Sequence, residues 1–155
     1  MEGKYMKILI DGDGSPVKEA TIALAKQYQV PVQLVTTFDH YSQKNAAEDV
    51  DVIYVDRGAE AADYKIVGLV QKGDLVVTQD YGLASLVLAK KARALHQNGQ
   101  EYLPETIDFL LVQRYESAMI RKAGKHTKGP RAYTENDREQ FKQALIQILE
   151  ELTAK

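Results

Sequence analysis

The chain has 155 residues, of which 45% are hydrophobic and 27% are charged, and this size predicts a single domain over residues 1–155. A disulfide-stabilised mini-protein and a disordered tail are thereby excluded. No apolar run approaches the ~18 residues of a membrane span, and Glu2 and Lys4 stand where a signal peptide needs its apolar stretch. We expect a soluble cytoplasmic protein with no membrane partner.

Cysteine is absent, which excludes thiolate catalysis, thiolate zinc sites and disulfides. A metal ion could therefore use only carboxylates, the three histidines and backbone oxygens as ligands. The net charge of −2 hides an uneven distribution. The segment 121–131 contains five Lys or Arg and no acidic residue, whereas the rest of the chain is net acidic.

Short apolar runs predict strands, and capped segments between them predict helices. In chain order these elements are a strand at 7–10, a helix at 16–28, strands at 32–36 and 52–55, a helix at 60–71, a strand at 75–78, a helix at 81–92 and a short strand at 93–95. Ser15 and Pro16 suit the N-cap and the first position of the first helix, which should bury Val17, Ala20 and Leu24. A polar loop is expected between the second and third strands.

Strands that alternate with helices imply a mainly parallel sheet covered on both faces. We therefore predict an α/β fold, a three-layer sandwich with about four to five strands. Two C-terminal helices follow, at 104–123 and 134–152, and Thr134 and Asp137 form a capping box for the second. The apolar stripe of that helix should pack on the domain, and its members are Phe141, Leu145, Ile148, Leu149 and Leu152.

Acidic residues follow two of the predicted strands, at the edge where open parallel sheets bind their ligands. Asp11 and Asp13 come after the first strand, and their spacing points both side chains to the same side while Gly12 and Gly14 let the chain turn. Asp80 follows the strand at 75–78 in the same way. If the two strands are neighbours, three carboxylates share one edge.

Asp63 is a fourth candidate, because it shares the apolar face of the predicted helix at 60–71. It is equally compatible with a ligand role and with a carboxylate that is favoured by the helix dipole and bound by a neighbouring backbone group or Arg57. For Asp11 and Asp13 the structural alternative is loop and cap chemistry. Asp74 precedes its strand, so we expect a turn residue at the opposite edge.

Clustered carboxylates repel one another, so such a site should either hold a proton or bind a hard cation. Mg²⁺ or Mn²⁺ is the simpler choice at neutral pH. These ions accept oxygen ligands, bridge to phosphates and lower the pKa of an attacking water. The reaction class that suits this chemistry is phosphoester hydrolysis.

Several motifs resemble one known family along nearly the whole chain. They are Ile10 to Pro16, then Ala62, Asp63 and Ile66, then Gly73 to Thr78 with Asp80, and finally Tyr102, Pro104, Thr106, Arg121, Gly124, Thr127, Gly129 and Pro130. These residues resemble the bacterial YaiI/YqxD family, whose domain is similar to PIN-like nucleases. The resemblance implies a PIN-like fold and a metal-dependent nuclease acting on RNA or DNA, with single-stranded RNA as the first expectation. It places Asp11, Asp13, Asp63 and Asp80 in the metal-binding and catalytic positions. The turn at 96–100 departs from the family pattern.

The basic segment is the candidate substrate-holding surface, because an acidic metal site repels a polyanion and a nuclease needs a separate positive surface. The candidate substrate contacts are Ser15, Thr78, Arg121, Lys125, Thr127, Lys128 and Arg131. The alternative is a solvated connection whose cations favour the C-terminus of the preceding helix. A homo-oligomer is also compatible with the sequence.

Two rival functions belong to other classes. The run Asp11 to Ser15 resembles the first motif of haloacid-dehalogenase phosphatases, with Asp11 as nucleophile and Asp13 as acid. Against it, Gly73 and Asp74 precede a strand where that family places Gly and Asp after one. The second rival is a non-catalytic nucleic-acid-binding or protein-binding domain. Metal binding without cleavage of RNA or DNA would favour it.

Overall fold

The computed structural model describes residues 6–37, 50–58, 60–122, 124 and 132–153. Eleven elements occur within these ranges. They are β1 (Ile8–Asp11), α1 (Lys18–Gln27), β2 (Val32–Thr37), β3 (Val50–Val55), α2 (Ala61–Leu69), β4 (Leu75–Val77), α3 (Tyr81–Ala89), β5 (Arg93–Leu95), β6 (Glu101–Tyr102), α4 (Pro104–Lys122) and α5 (Glu135–Thr153). The expected loop between the second and third strands falls mostly on residues 38–49, outside the described ranges.

The strands form one sheet in the order β3-β2-β1-β4-β5-β6. All neighbouring pairs are parallel except β5 with β6. On β1, Ile8 pairs with Val32 on one side and with Leu75 on the other. The predicted α/β fold with a mainly parallel sheet is therefore confirmed.

Both faces of the sheet are buried, which explains why the central strands are continuous apolar runs. Successive side chains of a strand point to opposite faces. Ile8 and Ile10 accordingly pack with residues of α1 and α5. Leu9 packs on the other face, with residues of α2, α3 and α4. Helices on both sides of one sheet give the predicted three-layer sandwich.

The start of α1 differs from the prediction. The helix begins at Lys18, two residues later than expected, and its N-cap Val17 has no side-chain cap hydrogen bond. The Ser15 hydroxyl accepts a hydrogen bond from the Val17 N–H at 3.4 Å, so Ser15 stabilises the turn that precedes the helix. Val17 is buried as predicted, whereas Ala20 and Leu24 are only partly buried, and the fully buried residues of the helix are Thr21 and Ala25. Leu24 still packs against the core.

The C-terminal part matches the sequence more closely. The capping box is present, because the Asp137 carboxylate accepts from the Thr134 N–H at 2.9 Å and the Thr134 hydroxyl accepts from the Asp137 N–H at 3.1 Å. The apolar stripe of α5 packs into the core beside α1, with only its last member, Leu152, partly exposed. The sixth strand, β6, was not predicted, since two residues are too short for an alternating pattern.

Asp74 lies at the opposite edge of the sheet from Asp11, as predicted. Its carboxylate is 2% exposed and forms an ion pair with Lys7, with Nζ and Oδ2 separated by 2.8 Å. It also accepts hydrogen bonds from the backbone N–H groups of Lys7 and Gln71. Asp74 therefore has a structural role.

Among the described helices, none combines the length and the apolar character that crossing a membrane requires.

Candidate active site at the carboxyl edge of the sheet

The centre of the sheet contains a crevice between β1 and β4. From β1 the chain proceeds to β2 and β3 on one side, and then returns to place β4 and β5 on the other. This reversal of strand order is the position at which open α/β sheets bind ligands, beyond the carboxyl ends of the strands. Asp11 is the last residue of β1, and Thr78 directly follows β4.

The side chain of Thr78 connects the two strand ends. Its hydroxyl donates a hydrogen bond to Asp11 Oδ2 at 2.8 Å and accepts one from the Asp80 N–H at 3.0 Å. Thr78 is only 3% exposed, so this contact is shielded from water. The hydroxyl therefore sets the orientation of the Asp11 carboxylate relative to the start of α3.

Asp80 is the N-cap of α3, a role that the sequence analysis did not assign. Its Oδ1 accepts hydrogen bonds from the N–H groups of Gly82 at 2.8 Å and Leu83 at 3.2 Å. These bonds satisfy donors of the first helical turn, and the helix dipole favours a negative charge there. The Asp80 side chain also forms a hydrogen bond with the side chain of Asp63.

Asp63 reaches this edge from α2. Burial, together with the negative charges of Asp80, Asp11 and Glu60 and the hydrogen bond with Asp80, raises the pKa of Asp63 to about 6. Asp11, Asp63 and Asp80 are called the acidic cluster below.

The pKa of Asp11 is shifted in the same direction as that of Asp63. Burial raises the pKa of Asp11, the hydrogen bond from Thr78 opposes that rise, and the charges of Asp80 and Asp13 add to it. Its Oδ2 accepts from Thr78, whereas Oδ1 has no hydrogen-bond partner among the described residues. Asp11 and Asp80 line an open cavity of about 400 Å³, together with Gln79 and Tyr81.

The Asp13 carboxylate contacts the end of β2. Its Oδ1 accepts hydrogen bonds from the Thr36 hydroxyl at 2.5 Å, the Thr37 N–H at 3.1 Å and the Thr37 hydroxyl at 3.5 Å. Asp13 thus attaches the loop after β1 to the end of β2. Its charge still acts on the pKa of Asp11.

Gly12 permits this close approach of the loop to β2. Its N–H donates to the Val35 carbonyl at 2.8 Å. A Cβ atom at this position would lie 2.6 Å from Leu34 Cδ1 and 3.0 Å from the Val35 carbonyl oxygen. Glycine is therefore required here by lack of space.

A comparison with models of protein families gives a match over most of the chain. The model of a family described as "Uncharacterized BCR, YaiI/YqxD family" matches residues 9–151. The chain belongs to the YaiI/YqxD family. The match includes all four aspartates, the whole of α4 and all but the last two residues of α5.

Individual relatives cover the chain almost completely. A UPF0178 protein of Enterococcus faecalis strain V583 is 57% identical over 144 residues, which are 93% of this chain and 97% of the relative. A UPF0178 protein of Bacillus thuringiensis subsp. konkukian is 55% identical over 137 residues, 88% of this chain and 94% of the relative. No solved structure gives a significant match, so the likeness to PIN domains has no support from that comparison.

The described residues contain no group of three or more His, Asp or Glu side chains already arranged to hold a metal ion. The oxygens of the acidic cluster are occupied in part by other bonds, since Asp80 Oδ1 caps α3 and Asp63 hydrogen-bonds with Asp80. A cation at this edge would therefore compete with the proton that Asp63 takes up as pH falls through about 6.

Only some of the residues predicted to contact the substrate lie within the described part of the chain. Thr78 lies within the site, and Ser15 lies in the loop that Asp13 anchors. Lys125, Thr127, Lys128 and Arg131, together with the side chain of Arg121, are outside what the structure describes. The described chain resumes beside the same edge, because the Tyr133 hydroxyl donates to the Gln97 carbonyl at 2.7 Å.

Sequence analysis missed Gln79 and Tyr81, which line the cavity beside Asp11 and Asp80. Their positions carried the signal, because they flank Asp80 in the loop after β4. It also missed the turn at 96–100 as part of this edge. The departure of that turn from the family pattern was the only sequence signal for it.

Proposed function

We propose that this YaiI/YqxD protein is a metal-dependent phosphodiesterase that hydrolyses single-stranded RNA or DNA at the acidic cluster. The observation that carries the proposal is that Asp11 and Asp80 line the cavity at the β1–β4 crevice, with Asp63 of α2 close enough for their charges to raise its pKa. Bringing like charges together opposes folding. A carboxylate cluster with perturbed pKa values in a crevice is therefore a candidate for chemistry.

The donor chemistry of the cluster fits a hard cation. Carboxylate and hydroxyl oxygens are the ligands that Mg²⁺ and Mn²⁺ prefer in proteins. Asp11, Asp63 and Asp80 would hold the ion, and Asp13 would add negative charge from its position beside β2. When bound, such an ion stabilises negative charge on phosphate oxygens and acidifies an attacking water.

The residues of the chain have separate tasks in this proposal. Thr78 orients Asp11, which lines the cavity. The first turn of α3 holds Asp80 in place. The basic segment 121–131 would hold the phosphate backbone, since cations contribute the sequence-independent part of nucleic-acid binding.

The phosphatase alternative is less well supported by the contacts of Asp13. A mechanism with Asp11 as nucleophile needs Asp13 as a proton donor near the substrate. Asp13 Oδ1 instead accepts hydrogen bonds from Thr36 and Thr37 at the end of β2. A non-catalytic nucleic-acid-binding domain is an outcome of the experiment below.

The test is a cleavage assay on mixed single-stranded RNA and DNA with Mg²⁺, with Mn²⁺ and with EDTA. Wild type should cleave only with metal, and Asp11→Asn and Asp80→Asn should not cleave. Asp51→Asn is the matched control, because Asp51 is an exposed carboxylate near the amino end of β3, at the other end of the sheet, where it accepts a hydrogen bond from Gln33. Metal binding without cleavage by wild type would contradict the proposal and favour the non-catalytic domain.

A further inference from the structure

A second cavity, of about 360 Å³, lies beside the acidic cluster. Aromatic side chains form much of its wall, and amide side chains lie at its rim. We call it the aromatic pocket, and its principal lining residues are Tyr81, His96, Asn98, Gln100, Tyr102 and Phe109. Tyr81 lines both this pocket and the cavity next to Asp11 and Asp80. The two cavities are therefore neighbours at the carboxyl edge of the sheet.

Three aromatic rings of the pocket, those of Tyr81, His96 and Tyr102, pack against one another. The Tyr81 and Tyr102 ring centroids are 5.7 Å apart in an edge-to-face arrangement, and the His96 and Tyr102 centroids are 6.0 Å apart. The Tyr102 hydroxyl donates to the carbonyl oxygen of Thr78 at 3.1 Å. Thr78 is the residue that orients Asp11, so the pocket wall and the acidic cluster are joined through one buried residue.

Phe109 has a different environment. It lies on the first part of α4, lines the pocket, and is 64% exposed. An exposed phenylalanine contributes little to the stability of the fold, because most of its apolar surface remains in water. Its ring is available to stack on a flat ligand.

The turn at 96–100 is held rigidly by its own hydrogen bonds. The His96 N–H donates to the Gln100 carbonyl at 2.9 Å, and the Gln100 N–H donates to Asn98 Oδ1 at 2.9 Å. Gly99, with a φ of +97°, packs so tightly on α5 that a Cβ would lie 2.7 Å from the Gln140 carbonyl oxygen. The Gln100 side-chain amide and Asn98 Nδ2 have no hydrogen-bond partner among the described residues. They supply donors and an acceptor at the pocket rim.

The charge of the pocket indicates what kind of group it accepts. Among the described residues, no Lys or Arg lines it, and its carboxylate, Glu101, forms two hydrogen bonds with Arg93 at 2.7 and 2.9 Å. Burial lowers the pKa of His96, which favours the neutral imidazole. The described residues of the pocket offer a phosphate no cationic partner, whereas a flat, uncharged group with a polar edge matches both the rings and the amides.

We propose that the aromatic pocket binds one unpaired nucleobase of a single-stranded substrate, next to the phosphodiester at the acidic cluster. The location of that phosphodiester rests on the proposed function; the pocket itself does not. Phe109 stacks on the base, as aromatic side chains do with unpaired bases, and Gln100 and Asn98 hydrogen-bond with its edge. A base in a duplex presents neither a free face nor a free Watson–Crick edge, so the pocket selects single strands.

The test measures binding of a fluorescently labelled single-stranded oligoribonucleotide in EDTA, and compares it with an abasic oligomer of the same backbone. Phe109→Ala should weaken binding of the normal oligomer roughly fivefold or more, the lower end for loss of one stacked base. Gln100→Ala should weaken it in the same direction. Neither variant should change binding of the abasic oligomer. Tyr115→Ala is the matched control, since Tyr115 lies on the same helix, is 65% exposed and does not line the pocket.

The outcomes separate this inference from the proposed function. Base-dependent binding through Phe109 and Gln100 without any cleavage would retain the pocket and reject the hydrolysis. Cleavage by wild type with equal affinity for the normal and abasic oligomers would retain the hydrolysis and reject the pocket. Equal effects of Phe109→Ala and Tyr115→Ala, or no binding of any oligomer, would also overturn it.

Discussion

Asp63 and Asp80 hydrogen-bond to each other although both side chains are carboxylates. Two ionised carboxylates cannot form such a bond, because one of them must supply a proton. Asp63 takes up this proton as pH falls through about 6, because burial and the charges of Asp80, Asp11 and Glu60 raise the pKa of Asp63 to about 6. This bond joins the first turn of α2 to the N-cap of α3.

The first prediction concerns stability and pH in the metal-free protein. Because the pKa of Asp63 is about 6 in the folded state and 3.8 in the reference state, the folded chain binds more protons between these values. The Asp63 contribution to the free energy of unfolding is therefore complete below about pH 4 and is lost as pH rises through about 6. Urea unfolding in EDTA across this range measures it.

The difference between wild type and Asp63→Asn isolates this contribution, because other groups also titrate. Burial lowers the pKa of His96, so that its contribution has the opposite sign and is lost as pH falls. Asp51→Asn, the exposed control, should keep the wild-type pH slope. An identical slope in wild type and Asp63→Asn would refute the assignment of the proton.

The second prediction is that Asp63→Asn weakens Mn²⁺ binding and, below about pH 6 where Asp63 is protonated, changes the stability of the metal-free protein by less than about 1 kcal/mol. The asparagine amide can still donate to the Asp80 carboxylate, so the contact between α2 and α3 survives. As a metal ligand, however, the neutral amide is much weaker than a carboxylate. Calorimetric titration measures the Mn²⁺ affinity of wild type and of Asp63→Asn. Equal affinities would indicate that Asp63 has a structural role only.

The third prediction is that Mn²⁺ raises the Tm of wild type, since a ligand that binds only the folded state stabilises it by mass action. Asp11→Asn and Asp80→Asn should lose most of this gain. Asp51→Asn should keep it. If Tm does not move as Mn²⁺ is increased in tenfold steps, the acidic cluster is not a metal site.

The fourth prediction separates the role of Asp13 from that of the acidic cluster. Asp13→Ala removes the acceptor for the Thr37 N–H and both threonine hydroxyls, and should cost about 1–3 kcal/mol of unfolding free energy. In Asp13→Asn the amide oxygen can still accept, and repulsion with Asp11 is relieved, so its effect should be near zero. Equal losses in the two variants, measured by urea unfolding, would argue against this role.

The fifth prediction concerns the basic segment. If it holds the phosphate backbone, Lys125→Ala with Lys128→Ala should reduce the slope of log affinity against log salt by roughly 1.4, at about 0.7 per contact on single strands. Binding should weaken across sequences, with little change in Tm. Salt titrations of oligonucleotide binding measure the slope, and an unaltered slope would show that the substrate is held elsewhere.

Much of the local structure could be predicted from the sequence because its signals are local. The apolar runs at β1, β2 and β4 and the capping box of Thr134 and Asp137 depend on neighbouring residues only. The predicted start of α1 was wrong, because Ser15 stabilises the turn before the helix and does not cap the helix itself. The two-residue strand β6 exists only through pairing with β5.

The sequence by itself determined the family, the α/β class and which carboxylates end up near the carboxyl edge, because each follows from motif order and strand position. Only the tertiary structure decided their partners. The placement of β4 beside β1 brings Thr78 to Asp11 across 67 residues of chain, and the approach of the loop to β2 directs Asp13 toward Thr36 and Thr37 instead. Such contacts depend on which strands are neighbours, and no local pattern encodes that choice.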